Sequence, residues 1–103
     1  MARKRLDIYK RKRLILQAAV QLADDEGWWY LRRETVAKEA ECSTGLVSFY
    51  YAPFQDLKDS VMRIAVKHNN LPVIVEGLIR HNKIAMTAPL ELRKRALEWM
   101  TSQ

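Results

Sequence analysis

The sequence predicts an all-α fold. Helix-forming residues dominate, glycine and proline number three each, and no segment alternates between polar and apolar residues as an exposed strand does. Apolar residues instead recur at three- and four-residue steps, as in amphipathic helices packed on a core. Because 103 residues correspond to one domain, we predict a single small bundle of about six helices.

The positive charge is concentrated at the beginning of the chain. Residues 1–13 hold seven bases and one acid and so carry the whole net charge of +6, while the other ninety residues hold eleven of each sign. We predict that residues 1–9 form a flexible basic arm in which Arg3, Lys4 and Arg5 contact DNA phosphates or the minor groove. The alternative is a solubilising tail. A neutral body with a cationic arm favours a local contact with a polyanion.

The first long helix is predicted over residues 10–26, where one face carries Ile15, Ala18, Ala19 and Leu22. Gly27 is well placed to end this helix. Next come Trp28 and Trp29, between two helices that must be held together. We expect at least one of them to fill the core there and the other to lie partly exposed.

The central motif of the chain is TVAKEAECSTGLVSFYY, residues 35–51. We predict a second helix over residues 32–41, a tight turn at Cys42–Ser43 and a third helix over residues 44–51. This is the layout of a helix-turn-helix, in which the second helix of the pair can lie in the DNA major groove.

Individual residues of the motif fit this layout. Ser43 is a good N-cap for the third helix, and Val47 and Tyr51 take its core positions. Cys42 is expected to be a small buried residue. Glu41 occupies the position where such a turn needs a left-handed residue, often glycine, at a cost of about 1 kcal/mol for any other residue.

The exposed face of the third helix is expected to contact base edges through Thr44, Gly45, Leu46, Ser48 and Phe49. Gly45 would allow close approach of either DNA or a neighbouring helix. Tyr50, together with Arg32 and Arg33 near the start of the second helix, is expected to bind phosphates. For the two arginines the alternative is pairing with Glu34 or Glu26, which contributes little free energy.

Three further helices are predicted in the rest of the chain. The fourth covers residues 53–69 with Pro53 at its first position, Met62 near its edge, and an inner stripe of Leu57, Val61, Ile64 and Ala65. Residues 72–82 form a short apolar helix and residues 89–101 an amphipathic one. Residues 70–103, which we call the tail, would complete the core; the sharper hypothesis is that they also form a symmetric dimer contact.

Residues 12–57 resemble the N-terminal DNA-binding domain of the TetR family of bacterial repressors. The matching positions are ILQAAVQL at 15–22, Gly27, VAKEA at 36–40, Ser43, Gly45, Tyr50–Tyr51 and Leu57, and STGLVSFYY at 43–51 is similar to relatives that carry STG-x-x-S-H-Y-F. Three positions depart from the pattern: the family's turn glycine is Glu41, its histidine before the tyrosine is Phe49, and its lysine opening the fourth helix is Phe54. Phe49 would suit a thymine methyl group, and Phe54 removes a phosphate contact.

The resemblance implies a sequence-specific regulator that binds double-stranded DNA as a homodimer on a palindromic or repeated site, most often as a repressor. The family's large ligand-binding domain is not expected in the 103 residues, so we expect no small-molecule pocket, and control by abundance, competition or a regulatory protein partner. The alternative is a protein-interaction module, such as an antirepressor, that retains the fold without contacting DNA. We find no catalytic, metal-binding or cofactor-binding pattern and no membrane segment. The single cysteine favours the reducing cytoplasm. The resemblance implies a bacterial or phage protein that is associated with the nucleoid when bound to DNA.

Overall fold

Seven helices and a single 3₁₀ turn make up the described part of the chain in this computed structural model, and the all-α prediction is confirmed. The structure describes the backbone from Ala2 to Gln103 and the side chains from Asp7 onward. The helices are α1 (Ala2–Glu26), α2 (Arg33–Ala40), α3 (Thr44–Tyr50), α4 (Gln55–Lys67), α5 (Leu71–Ile79), α6 (Lys83–Met86) and α7 (Leu90–Thr101), and the 3₁₀ turn spans Trp28–Tyr30.

Helix α1 begins at Ala2, so the predicted helix start at residue 10 is corrected. The reason lies in the composition: no glycine or proline occurs before Gly27, and arginine, lysine and leucine are strong helix formers. The side chains of Arg3, Lys4 and Arg5 lie outside the described residues. The flexibility of residues 1–9 and their contact with DNA stay predictions.

One hydrophobic core joins all the longer helices. Trp28 lies in this core beside α1 and is only 2% exposed, whereas Trp29 is 44% exposed. This confirms the prediction that one tryptophan fills the core and the other is partly exposed. Gly27 follows the last residue of α1, as predicted, with a φ of 110°. Fully enclosed side chains come from α1, α2, α3, α4 and α5, among them Ile15, Val36, Val47, Leu57 and Ile74.

Two details of α4 differ from the prediction. Pro53 precedes the helix instead of opening it, because its carbonyl accepts the Asp56 N–H at 3.0 Å in a turn before Gln55. Met62 is fully buried and Ile64 only half-buried, the reverse of the expected stripe. Met62 packs against Gly77 of α5, so a second neighbouring helix widens the buried face of α4.

In the tail, α5 is enclosed by its neighbours, which explains its apolar composition. It contacts α4, α6, α7 and the 3₁₀ turn, and Val73, Ile74 and Val75 are all buried. It ends at Ile79 and not at residue 82 as predicted, because His81 takes a left-handed conformation with φ 58°. Helix α6, which was not predicted, then begins because the Asn82 side-chain oxygen accepts the N–H groups of Ile84 and Ala85.

Side-chain hydrogen bonds join the tail to the earlier helices, in addition to the shared core. The bonds are Asn70 Nδ2 to Asp24 Oδ1 at 2.7 Å, the Trp29 N–H to Glu76 Oε2 at 3.0 Å, and Asn82 Nδ2 to Asp59 Oδ1 at 3.0 Å. The tail is therefore tied to α1, to the 3₁₀ turn and to α4.

Candidate nucleic-acid interface

The turn between α2 and α3 has the predicted left-handed residue. Glu41 adopts φ 57° and ψ 47°, and its exposed side chain points away from the core. The turn is closed by the N–H of Cys42, which bonds to the Ala37 carbonyl at 2.9 Å. Cys42 is half-buried against the core and not fully buried as expected. We call residues 33–50, which comprise α2, this turn and α3, the α2–turn–α3 unit.

Helix α3 is held at both ends and along one side. Ser43 caps its start, since the hydroxyl oxygen accepts the Leu46 N–H at 3.1 Å, as predicted. Val47 and Tyr51 are buried, and the Tyr51 hydroxyl donates to the Lys12 carbonyl of α1 at 3.3 Å. Burial raises the pKa of Tyr51 above its ordinary value. This anchoring leaves the opposite side of a short helix free.

That opposite side carries the residues predicted to contact bases. Thr44, Gly45 and Phe49 are exposed, and Leu46 and Ser48 are half-buried. Phe49 is 75% exposed, the highest value among the exposed large apolar side chains of the described residues. Its ring meets the half-buried Tyr50 ring edge-on, with centroids 5.1 Å apart and planes at 84°, so a neighbour restrains it.

Gly45 decides between the two expectations for its position. A Cβ built there would meet only the Ser43 hydroxyl, at 3.8 Å, so no neighbouring helix of the described chain requires a glycine. Its φ is not in the positive range, so the backbone does not require one either. A neighbouring helix of the described chain is therefore excluded as the reason for a glycine here, and the position is open to solvent.

Arg32 and Arg33, at the start of α2, are both exposed. The Arg33 guanidinium lies over the ring of Phe54, 5.3 Å from its centroid, just before α4 begins. From the sequence we predicted only that Phe54 removes the cation that opens the fourth helix in the TetR family. Stacking on the ring brings the charge of Arg33 to the same place from α2.

Basic residues of α1 that we did not predict as DNA contacts also lie near α3. Lys12 lies over the Tyr51 ring at 5.3 Å, and Lys10 and Arg11 line a groove of about 410 Å³ whose other wall includes Glu41 and Leu46. The charge run at 10–13 was visible in the sequence, but the approach of α1 to α3 was not. Lys10, Arg11 and Lys12 of α1 thus lie beside Leu46 and Tyr51.

A second cationic cluster lies away from α3, where the tail meets α4. Lys58 Nζ lies 4.5 Å from the Trp28 ring centroid and 4.7 Å from that of Trp29, and Arg80 stacks on Trp29 at 3.9 Å. Burial lowers the pKa of the Lys58 ammonium, with Glu76 acting in the opposite sense. These contacts join α4 and the tail to the 3₁₀ turn.

Among the described side chains, histidine, cysteine, aspartate and glutamate form no group of three or more that could hold a metal ion. Within the same part of the chain, no helix has the length and apolar character needed to cross a membrane.

No protein-family model, no curated protein and no solved structure matches this chain. The resemblance to the TetR family therefore stays a prediction, carried by the residues quoted for it.

Proposed function

We propose that this protein is a sequence-specific regulator that binds double-stranded DNA, with α3 in the major groove, and that it acts as a repressor. The observation that carries the proposal is the exposed face of α3. Gly45 opens it to close approach, Phe49 stands out from it, and Val47 and Tyr51 hold the helix from behind. A helix anchored on one side and free on the other is what insertion into a groove requires.

The charges beside α3 support the same proposal. Arg33 lies over Phe54, which follows α3, and Lys10, Arg11 and Lys12 lie near Leu46 and Tyr51. Phosphates border the major groove, so these cations near α3 would set the register of the helix. Tyr50 is half-buried beside Phe49 and would give its hydroxyl to a phosphate. Guanidinium groups suit phosphate oxygens because they can donate two parallel hydrogen bonds.

We propose further that the protein binds as a homodimer through the tail. The tail exposes a set of large apolar side chains that the monomer does not use: Ile79, Met86, Leu90, Leu97 and Met100. Covering them with a second copy would remove apolar surface from water. A twofold dimer would place two α3 helices on half-sites about 34–36 Å apart, one turn of DNA. Footprinting at a bound site measures this spacing directly.

The test of DNA binding is the dependence of affinity on salt. Affinity for duplex DNA, measured by fluorescence anisotropy, should fall steeply and linearly on a double-logarithmic plot against salt concentration. Arg33→Ala and Lys12→Ala should each weaken binding to all sequences and reduce the slope by about one. The matched control is Lys67→Ala, an exposed cation at the far end of α4, roughly 18 Å from Gln55, which should leave the slope unchanged. An unchanged slope in all three variants would contradict the proposal.

A protein-interaction module is the second candidate, and the 75% exposure of Phe49 favours it, because exposed aromatic side chains are frequent anchors in protein interfaces. The salt experiment separates the two. A flat response, or no binding to duplex DNA at low salt, would favour the interaction module and exclude the regulator.

A further inference from the structure

The face of α3 lacks every side chain that makes bidentate contacts with a base. Guanine is distinguished by arginine or lysine and adenine by asparagine or glutamine, and none of these occurs between Thr44 and Tyr50. The polar groups on its exposed side are the hydroxyls of Thr44 and Ser48, which suit either donors or acceptors. Specificity at α3 must therefore come chiefly from another kind of contact.

Phe49 provides the largest surface for such a contact. It lies four residues after Gly45, so the two share one face of the helix, and the missing side chain at 45 allows the backbone to come close to the groove. The edge-on contact with Tyr50 reduces the number of positions the ring can adopt. An ordered, exposed ring on the face that meets DNA would bury its apolar edge on binding.

The major groove offers one apolar group, the C5-methyl group of thymine. Methylation at C5 puts the same group at the same place on cytosine. We propose, on the basis of the DNA binding proposed above, that Phe49 recognises a C5-methylated pyrimidine, so that the half-site contains a thymine or a 5-methylcytosine opposite this ring. Thymine and 5-methylcytosine are two sources of one chemistry, and the experiment below separates them.

The size of the effect follows from one methyl group. Burial of a methyl group against an aromatic ring corresponds to about fourfold in affinity, and a twofold dimer that uses two half-sites would show roughly fifteenfold. This is small beside the phosphate contribution but large enough to measure at fixed salt.

The experiment uses the full chain and duplexes selected from a randomised pool. Each thymine of the selected site is replaced in turn by uracil, which lacks only the methyl group, and affinity is measured by anisotropy at constant salt. At one thymine per half-site, uracil should weaken binding by about fourfold. Cytosine at the same position should weaken binding at least as much as uracil. 5-Methylcytosine there should bind about fourfold more tightly than cytosine, because only the methyl group differs between the two.

Protein variants assign the effect to the ring. Phe49→Ala should bind thymine and uracil sites equally, and Phe49→Leu should retain part of the difference. Because Phe49 is exposed, neither change removes a core contact. Tyr50→Phe is the matched control: it should bind all duplexes more weakly while keeping the ratio between thymine and uracil.

Three results would overturn the inference. Equal affinity for thymine and uracil at every position, with normal binding to the selected duplex, would exclude methyl recognition while leaving DNA binding intact. A difference that persists in Phe49→Ala would assign the methyl contact to another residue. Failure to bind any duplex at low salt would instead refute the proposed function itself.

Discussion

Replacement of Glu41 by glycine should stabilise the protein, because Glu41 holds a left-handed conformation in the turn between α2 and α3. For a residue with a Cβ atom, this conformation costs about 1–2 kcal/mol. Glycine removes the cost but adds roughly 0.4–1 kcal/mol of conformational freedom to the unfolded chain. The net gain should be about 0.5–1 kcal/mol, which corresponds to an increase in Tm of about 2–8 °C for a domain of this size.

The matched control is Glu41→Ala. Both variants remove a carboxylate from the C-terminal end of α2, where the helix dipole disfavours acids, but only glycine relieves the backbone. In urea unfolding followed by circular dichroism, the free energy of unfolding of Glu41→Gly should therefore exceed that of Glu41→Ala by most of the expected gain. If the two variants unfold at the same urea concentration, or if the glycine variant is the less stable, the left-handed residue carries no significant strain and the reasoning fails.

Other substitutions test the packing, the helix capping and the buried hydroxyl. Gly77→Ala should lower the free energy of unfolding by about 1–3 kcal/mol, because the added Cβ would lie 2.7 Å from the Cβ of Ala85. Thermal unfolding measures this loss, and an unchanged Tm would show that the two helices are not in such close contact. Asn82→Ala should lower the free energy of unfolding by about 2 kcal/mol, and Ser43→Ala by roughly 1 kcal/mol. The loss is larger at Asn82 because this residue caps α6 and also donates to a carboxylate. Equal losses for the two variants in urea unfolding would refute this ranking. Tyr51→Phe should lower the free energy of unfolding by about 1 kcal/mol at neutral pH. Burial raises the pKa of Tyr51, so the unfolded chain ionises first and the difference in stability between wild type and variant should shrink above about pH 10. Urea midpoints of both proteins between pH 8 and 11 measure this difference, and a constant difference would contradict the prediction.

Local rules accounted for the parts of the fold that depend on neighbouring residues. Ser43 caps α3 because a hydroxyl before a helix can accept a free N–H. Val47 and Tyr51 are buried because they are four residues apart on one face. The left-handed conformation at Glu41 follows from the short connection between two helices, and glycine is only the commonest way to meet it.

Contacts between residues distant in the chain could not be predicted in this way. The stripe on α4 was misassigned at Met62 and Ile64 because periodicity shows one buried face, whereas α4 contacts three helices, α1, α5 and α6. In the candidate site, the approach of Lys12 to Tyr51 and the stacking of Arg33 on Phe54 join residues far apart in sequence. No pattern within a single helix contains that information.

The hydrogen bonds and the core that the tail shares with α1 and α4 bear on protein engineering. A DNA-binding unit is portable when its own residues enclose its core, and here Val73, Ile74 and Val75 supply part of that enclosure. Transplanting residues 10–69 onto another dimerisation segment would uncover this surface and leave the Trp29 N–H without its Glu76 partner. A chimera would therefore have to keep the tail and replace only the exposed residues of α3. Cutting the chain between α4 and α5 would remove part of the core.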